Sequence, residues 1–175
     1  MKEVIWVFGL SASGKETFIK YISASDDTEL LSKLGLSTKR ISFSTNSLKL
    51  IGGELDEQRD SILSEVQKLL SSSDVILIKW QFVDSIAKRP QKLKLLLPTA
   101  SHKIICLVTD VDEIAKRLPH KPLWRQPGKE RQLAKAEIPK VLQAINELYD
   151  FDITYLNSND NAGYTKLNRF SNFTN

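Results

Sequence analysis

Residues 9–17, Gly9-Leu10-Ser11-Ala12-Ser13-Gly14-Lys15-Glu16-Thr17, constrain this chain more than any other stretch. An apolar run, Val4-Ile5-Trp6-Val7-Phe8, leads into them, and Phe18-Ile19-Lys20-Tyr21-Ile22 follows. A strand, a loop of small residues and a helix start are the parts of a phosphate-binding loop. Gly9 permits the sharp exit from the strand, and Gly14 lets the backbone close around an anion. The loop N–H groups, joined by the unpaired N–H groups of the following helix, then point at a phosphate. Lys15 brings an ammonium to the terminal phosphate oxygens. Gly9, Ser11, Ala12, Ser13, Gly14, Lys15, Glu16 and Thr17 are therefore the expected binding residues for a nucleotide such as ATP. A plain turn carrying two glycines and a lysine is the competing reading, and the strand before it and the helix after it argue against that.

The pattern Gly-x4-Gly-Lys-[Ser/Thr] is met except at its last position, where Glu16 stands. A hydroxyl there commonly helps hold Mg²⁺. Glu16 could touch the metal as a carboxylate, though it adds negative charge beside a polyphosphate. Thr17 still offers a hydroxyl one residue on, so Thr17 or Glu16 is the candidate metal contact. The ending Gly14-Lys15-Glu16-Thr17 resembles the Gly-Lys-Gly-Thr ending of adenylate-kinase loops. That resemblance points to the small P-loop kinases, the nucleoside monophosphate kinases and their relatives.

Totals set the frame for the rest. One domain, 1–175, is expected from 175 residues, of which 41% are hydrophobic and 26% charged. No run reaches the ~18 apolar residues of a membrane span, and the short apolar start lacks the features of a signal peptide, so a cytoplasmic protein is expected. The single cysteine, Cys106, allows no internal disulfide and reads as a buried core thiol. Two histidines and one cysteine do not make a familiar zinc site. The net charge of +4 suits an anionic ligand and also weak nucleic-acid binding.

Along the chain, apolar strands alternate with amphipathic helices. Strands are expected at 4–8, 40–44, 74–80, 103–110 and 151–156, and helices at 15–24, 29–34, 54–70, 111–118 and 133–149. Leu55, Ile62, Val66, Leu69 and Leu70 share one face of the third helix. Leu142, Ile145, Leu148 and Tyr149 are the expected inward residues of the last, which Pro139 either starts or kinks. This succession gives an α/β fold with a mainly parallel sheet of five strands, covered on both faces. Ligands then bind at the carboxyl ends of the strands.

The third strand ends in Lys79, where P-loop NTPases often carry an Asp that helps hold Mg²⁺. Asp84 either supplies the missing carboxylate from the loop or caps the next helix. Residues 84–103 hold Lys88, Arg89, Lys92, Lys94 and Lys103, which form either an anion-binding or nucleic-acid face or a solvated helix face. No aromatic stacking pattern accompanies them, which favours the solvated face.

The passage Val108-Thr109-Asp110-Val111-Asp112-Glu113-Ile114-Ala115-Lys116-Arg117-Leu118 looks like the fourth strand and helix of P-loop kinases. In that family the Arg opens a lid over the donor phosphates, which maps onto Arg117. Residues 119–132 hold three prolines, Gly128, Lys121, Arg125, Lys129 and Arg131. They form either such a lid, with Arg125 and Arg131 beside Arg117 as phosphate-neutralising groups, or a plain surface loop. A fainter likeness to guanylate kinases runs through 131–157, without that family's acceptor motif between 41 and 54.

The small-kinase resemblance implies a three-layer α/β/α P-loop NTPase fold with strand order 2-3-1-4-5. It implies an acceptor near Arg40, Glu54, Trp80, Gln81 and Asp84, and a base near the polar segment 157–163, the start of the 157–175 tail. Trp80 either stacks a base or belongs to the core. The function expected is ATP-dependent phosphoryl transfer, with Mg²⁺, to a small acceptor, a nucleotide or nucleoside. The alternatives are a nucleotide-binding protein with weak or no turnover, motivated by Glu16 and Lys79, and a kinase or binder of nucleic-acid ends.

Overall fold

The structure, a computed structural model, describes residues 1–24, 27–36, 41–44, 59–79, 88–121, 126–160 and 163–170. Strand β1 (Glu3–Gly9) is buried along its whole length and lies mid-sheet, as its unbroken branched and aromatic run requires. Helix α1 (Lys15–Ala24) turns Phe18, Ile19 and Ile22 inward. The short α2 (Thr28–Lys33) starts on Asp27, whose carboxylate accepts from Leu30 N–H at 2.9 Å. It ends at Gly35, whose φ of +70° suits a helix-terminating glycine.

Strand β2 (Ile41–Ser44), helix α3 (Arg59–Ser72) and strand β3 (Val75–Lys79) follow. Then come α4 (Lys88–Leu96), β4 (Ser101–Val108), α5 (Val111–Arg117), a 3₁₀ turn (Leu118–His120), α6 (Glu130–Glu147), β5 (Asp152–Asn157) and the two-residue β6 (Lys166–Leu167). The strand order is β2-β3-β1-β4-β5-β6, so the expected 2-3-1-4-5 order holds. Neighbours from β2 to β5 are parallel, and β6 adds an antiparallel edge by pairing Leu156 with Lys166.

Alternation along the strands builds a core on each face. Val4, Trp6 and Phe8 of β1, with Ile76, Ile78, Ile104 and Cys106, pack under α3, α4, α5 and α6. Ile5, Val7, Leu77, Ile105 and Leu107 pack under α1 and α2. Three layers result. Burial pushes the Cys106 thiol well above its ordinary range, as a core cysteine requires.

The last helix departs from expectation. It begins at Glu130, runs through Pro139 and ends at Glu147. Its inward stripe is Ala134, Val141, Ala144 and Leu148, at helical spacing. Leu142 lies one residue, about 100°, off that stripe and is 43% exposed, while Tyr149 follows the helix and is 87% exposed. Arg40, Glu54, Trp80, Gln81, Asp84 and Arg125 lie outside the described residues, as does the whole of the expected 45–53 loop. On this packing, Leu148→Ala should cost about 2–5 kcal/mol in a urea titration, and Tyr149→Ala should stay within about 0.5 kcal/mol.

Candidate functional site

The 9–17 loop leaves β1 at its last sheet pair, Gly9 with Leu107 of β4. A side chain on Gly9 would start 2.6 Å from the Leu107 carbonyl oxygen, and its φ is +145°, so the position demands glycine. Ala12 takes a φ of +60°, a left-handed conformation that an alanine holds only under some strain. Ser13 N–H donates to the Leu10 carbonyl at 3.1 Å, and Phe18 N–H to the Gly14 carbonyl at 2.8 Å, which closes the loop onto the start of α1. Residues 11–17 thereby line a cavity of about 830 Å³.

Lys15 opens α1 and is buried, its Nζ donating to the Gly9 carbonyl at 3.0 Å and the Leu10 carbonyl at 2.7 Å. Desolvation, and then the nearby Lys121 ammonium, bring its pKa down to about 7. Lys121 lines the same cavity and is lowered as well, mainly by partial burial, although the residue as a whole is exposed. Lys79, Arg117, His120 and Lys140 complete the basic lining.

Arg117, the last residue of α5, ties the loop to the end of β5. Its Nη2 donates to the Ser158 carbonyl at 2.9 Å and pairs with Asp160 at 2.6 Å, and its Nη1 reaches the Ala12 carbonyl at 3.5 Å. Ser158 Oγ donates to the Ser13 carbonyl at 3.1 Å. Asn159 accepts from Asp110 N–H at 2.9 Å and donates to the Asp110 carboxylate at 2.7 Å. Ser158, Asn159, Asp160, Gly163 and Tyr164 thus form one wall of the cavity, where the sequence placed a base-contacting segment. Tyr164 is braced against Phe18, ring centroids 4.9 Å apart.

Glu16 and Lys79, two separate anomalies in the sequence, meet. Lys79 ends β3, beside β1 with Val7 opposite it, and its Nζ lies 3.2 Å from Glu16 Oε2. Lys20 holds the other oxygen at 2.9 Å. Hydrogen bonds from Lys20 and then Lys79 lower the Glu16 pKa. A divalent cation of the Mg²⁺ kind needs oxygen donors. Here both carboxylate oxygens face ammoniums, and the strand end presents an ammonium. Apart from the Thr17 hydroxyl, this donor set suits an anion and does not fit Mg²⁺.

Arg131 lies in the first turn of α6, pairs with Asp112 at 2.7 Å and is not among the residues lining the cavity. Glu137 had no signal in the sequence. From the middle of α6 its carboxylate accepts from Ser11 N–H at 2.7 Å and from Ser11 Oγ at 2.6 Å. Lys94 of the basic run pairs instead with Asp150 at 2.8 Å, away from the cavity.

No protein-family model matches the chain, and no curated protein matches its sequence. Solved structures do match. A chain from the PezAT chromosomal toxin–antitoxin system of Streptococcus pneumoniae superposes with a TM-score of 0.51 at 13% identity, covering 95% of this chain and 71% of that one. A gluconokinase from Sinorhizobium meliloti 1021 gives 0.41 at 13% identity, covering 89% and 82%. Shikimate kinase from Bacteroides thetaiotaomicron gives 0.41 at 15%, covering 89% and 86%. The fold is a three-layer α/β/α fold with a mainly parallel sheet, and what the chain shares with the PezAT structure is that fold.

Burial of Lys15 has a stability signature. Its pKa near 7 lies below the usual 10.5, so the unfolded chain binds more protons between those values. Stability carried by this group therefore rises with pH across that window. Lys15→Met should be more stable than the wild type at pH 7 by at least about 1 kcal/mol, and the gap should narrow toward pH 10 in denaturant titrations.

Proposed function

We propose that the chain binds a nucleoside triphosphate at the 9–17 loop and transfers its terminal phosphoryl group to a small acceptor. The observation that carries this reading is the convergence of the loop with Lys15, Lys79, Arg117 and Lys121 in one cavity at the carboxyl ends of the strands. Phosphoryl transfer needs positioning and charge neutralisation more than a reactive side chain. Lys15 would exchange the Gly9 and Leu10 carbonyls for phosphate oxygens. The charge it regains on the anion would favour binding. Ser11 N–H already holds the carboxylate of Glu137, so this donor accepts an anion in its present conformation.

Arg117 sits at the end of α5 with its guanidinium over Gly14, 3.8 Å from where a side chain on that residue would begin. It would neutralise charge developing on the transferring group. The segment 119–132, with Lys121 at the cavity and Arg125, would cover the phosphates and exclude water. The wall of Ser158, Asn159, Asp160, Gly163 and Tyr164 would take the base. Within this reading the acceptor is a nucleotide or nucleoside, in keeping with the likeness to nucleoside monophosphate kinases, and Arg40, Glu54, Trp80, Gln81 and Asp84 are its proposed contacts.

A second reading, nucleotide binding with little transfer, is favoured by the Glu16–Lys79 pair, because the residue at the loop's usual hydroxyl position is held by an ammonium. The two separate in one experiment. ATP affinity is measured calorimetrically and ADP release is followed with a panel of nucleosides, nucleoside monophosphates and sugars. Transfer predicts ADP release that depends on one acceptor, and both readings predict at least a tenfold loss of ATP affinity in Lys15→Met. An unchanged affinity in that variant removes the basis of both.

A further inference from the structure

We propose that this site takes polyphosphate in its metal-free form, with the Lys79 ammonium standing where a divalent cation would otherwise bridge the phosphate oxygens. The proposal rests on the phosphate-binding part of the reading above and on the placement of Lys79. Strand pairing fixes that placement, since Lys79 lies opposite Val7 at the strand end from which the loop departs. Its side chain is only 13% exposed and lines the cavity, with its Nζ on Glu16 Oε2.

Three ammoniums share this space. Burial is the main cause that lowers the pKa of Lys15 and of Lys121; Glu137 raises both, and Lys79 adds a smaller lowering to each. A doubly charged cation brought among them would meet repulsion from each, whereas an anion would relieve the repulsion already present. The ammonium of Lys79 has three N–H donors and no acceptor, so it can bind phosphate oxygens and cannot ligate a metal.

Glu16 explains how Lys79 is kept available. It holds Lys79 through Oε2 and Lys20 through Oε1. When Lys79 turns to a phosphate, Glu16 keeps Lys20 as its counter-charge and no carboxylate is left bare. The departure in the loop, Glu16, and the departure at the end of β3, Lys79, are then one device. The hydroxyl-to-carboxylate change at Glu16 removes a metal contact and orients the lysine that takes over the charge.

The test is calorimetric titration of tripolyphosphate and of ATP, each in EDTA and in excess Mg²⁺. Wild type, Lys79→Gln, Lys79→Arg and a charge control on α3, Lys68→Gln, are compared, with melting curves to verify folding. Both ligands should bind the wild type at least as tightly in EDTA as in Mg²⁺. Lys79→Gln should weaken metal-free binding tenfold or more, Lys79→Arg should retain most of it, and Lys68→Gln should change it less than twofold. Mg²⁺ tightening wild-type binding tenfold or more, or Lys79→Gln leaving metal-free affinity intact, overturns the proposal. Tripolyphosphate bound in EDTA with no ATP binding leaves this proposal standing and removes the nucleotide reading. ATP bound only as its Mg²⁺ complex does the reverse. No binding of either ligand overturns both.

Discussion

A lysine ammonium buried at the mouth of a parallel sheet is a costly object, and the architecture around the 9–17 loop follows from holding it there. Lys15 is removed from water and has to be given oxygen partners, which the Gly9 and Leu10 carbonyls supply. Those carbonyls point inward only because Gly9 turns the chain sharply at the end of β1, in a space that a side chain on that residue would invade. The bend is held from the other side by the Ser158 and Arg117 contacts, so that β4, β5 and α5 all bear on one loop. A folded state that keeps its lysine partly discharged near neutral pH, with further cations around it, is the kind of environment an anion would stabilise, which is what the proposed phosphate site requires.

The surrounding charges sort into two sets. Lys15, Lys79, Arg117 and Lys121 line the cavity. Glu16, Glu137 and Asp160 line it as well, and they restrain particular members of that set or of the loop through contacts of 3.2 Å or less. The acids therefore work as holders. Each acts on a donor that a phosphate would otherwise engage, and each can be relieved of it by an incoming anion. The Glu137 contact with Ser11 is the most direct case, since it places a carboxylate on a loop N–H and hydroxyl at once.

Much of this was legible in the sequence, and the limits have physical causes. The loop, the strands and the order of elements are encoded locally, by glycine positions and by runs that alternate or stay apolar. The strand order followed from resemblance, and the pairing of β2, β3, β1, β4 and β5 agrees with it. Glu16 and Lys79 were each visible as departures, but 63 residues separate them, and only the pairing of β1 with β3 joins them. Glu137 was invisible because its partner is 126 residues away, and nothing on its own helix marks an acid as inward-facing. On the last helix Leu148 is buried and Ile145 packs against the core as expected, whereas Leu142 and Tyr149 are exposed; part of the buried stripe falls on the small Ala134 and Ala144, so hydrophobic size alone did not separate the inward positions from their neighbours.

The central claim is that residues 11–17 cradle a phosphate group. Amide shifts in a ¹⁵N-labelled sample titrated with pyrophosphate test it most directly, because they report the donors themselves. The account predicts saturable shifts that are largest at residues 11–17, with smaller ones at Ser158 and Asn159, at the wall that Arg117 ties to the loop. Shifts concentrated on the lysines of α4, with the loop amides unmoved, would contradict it.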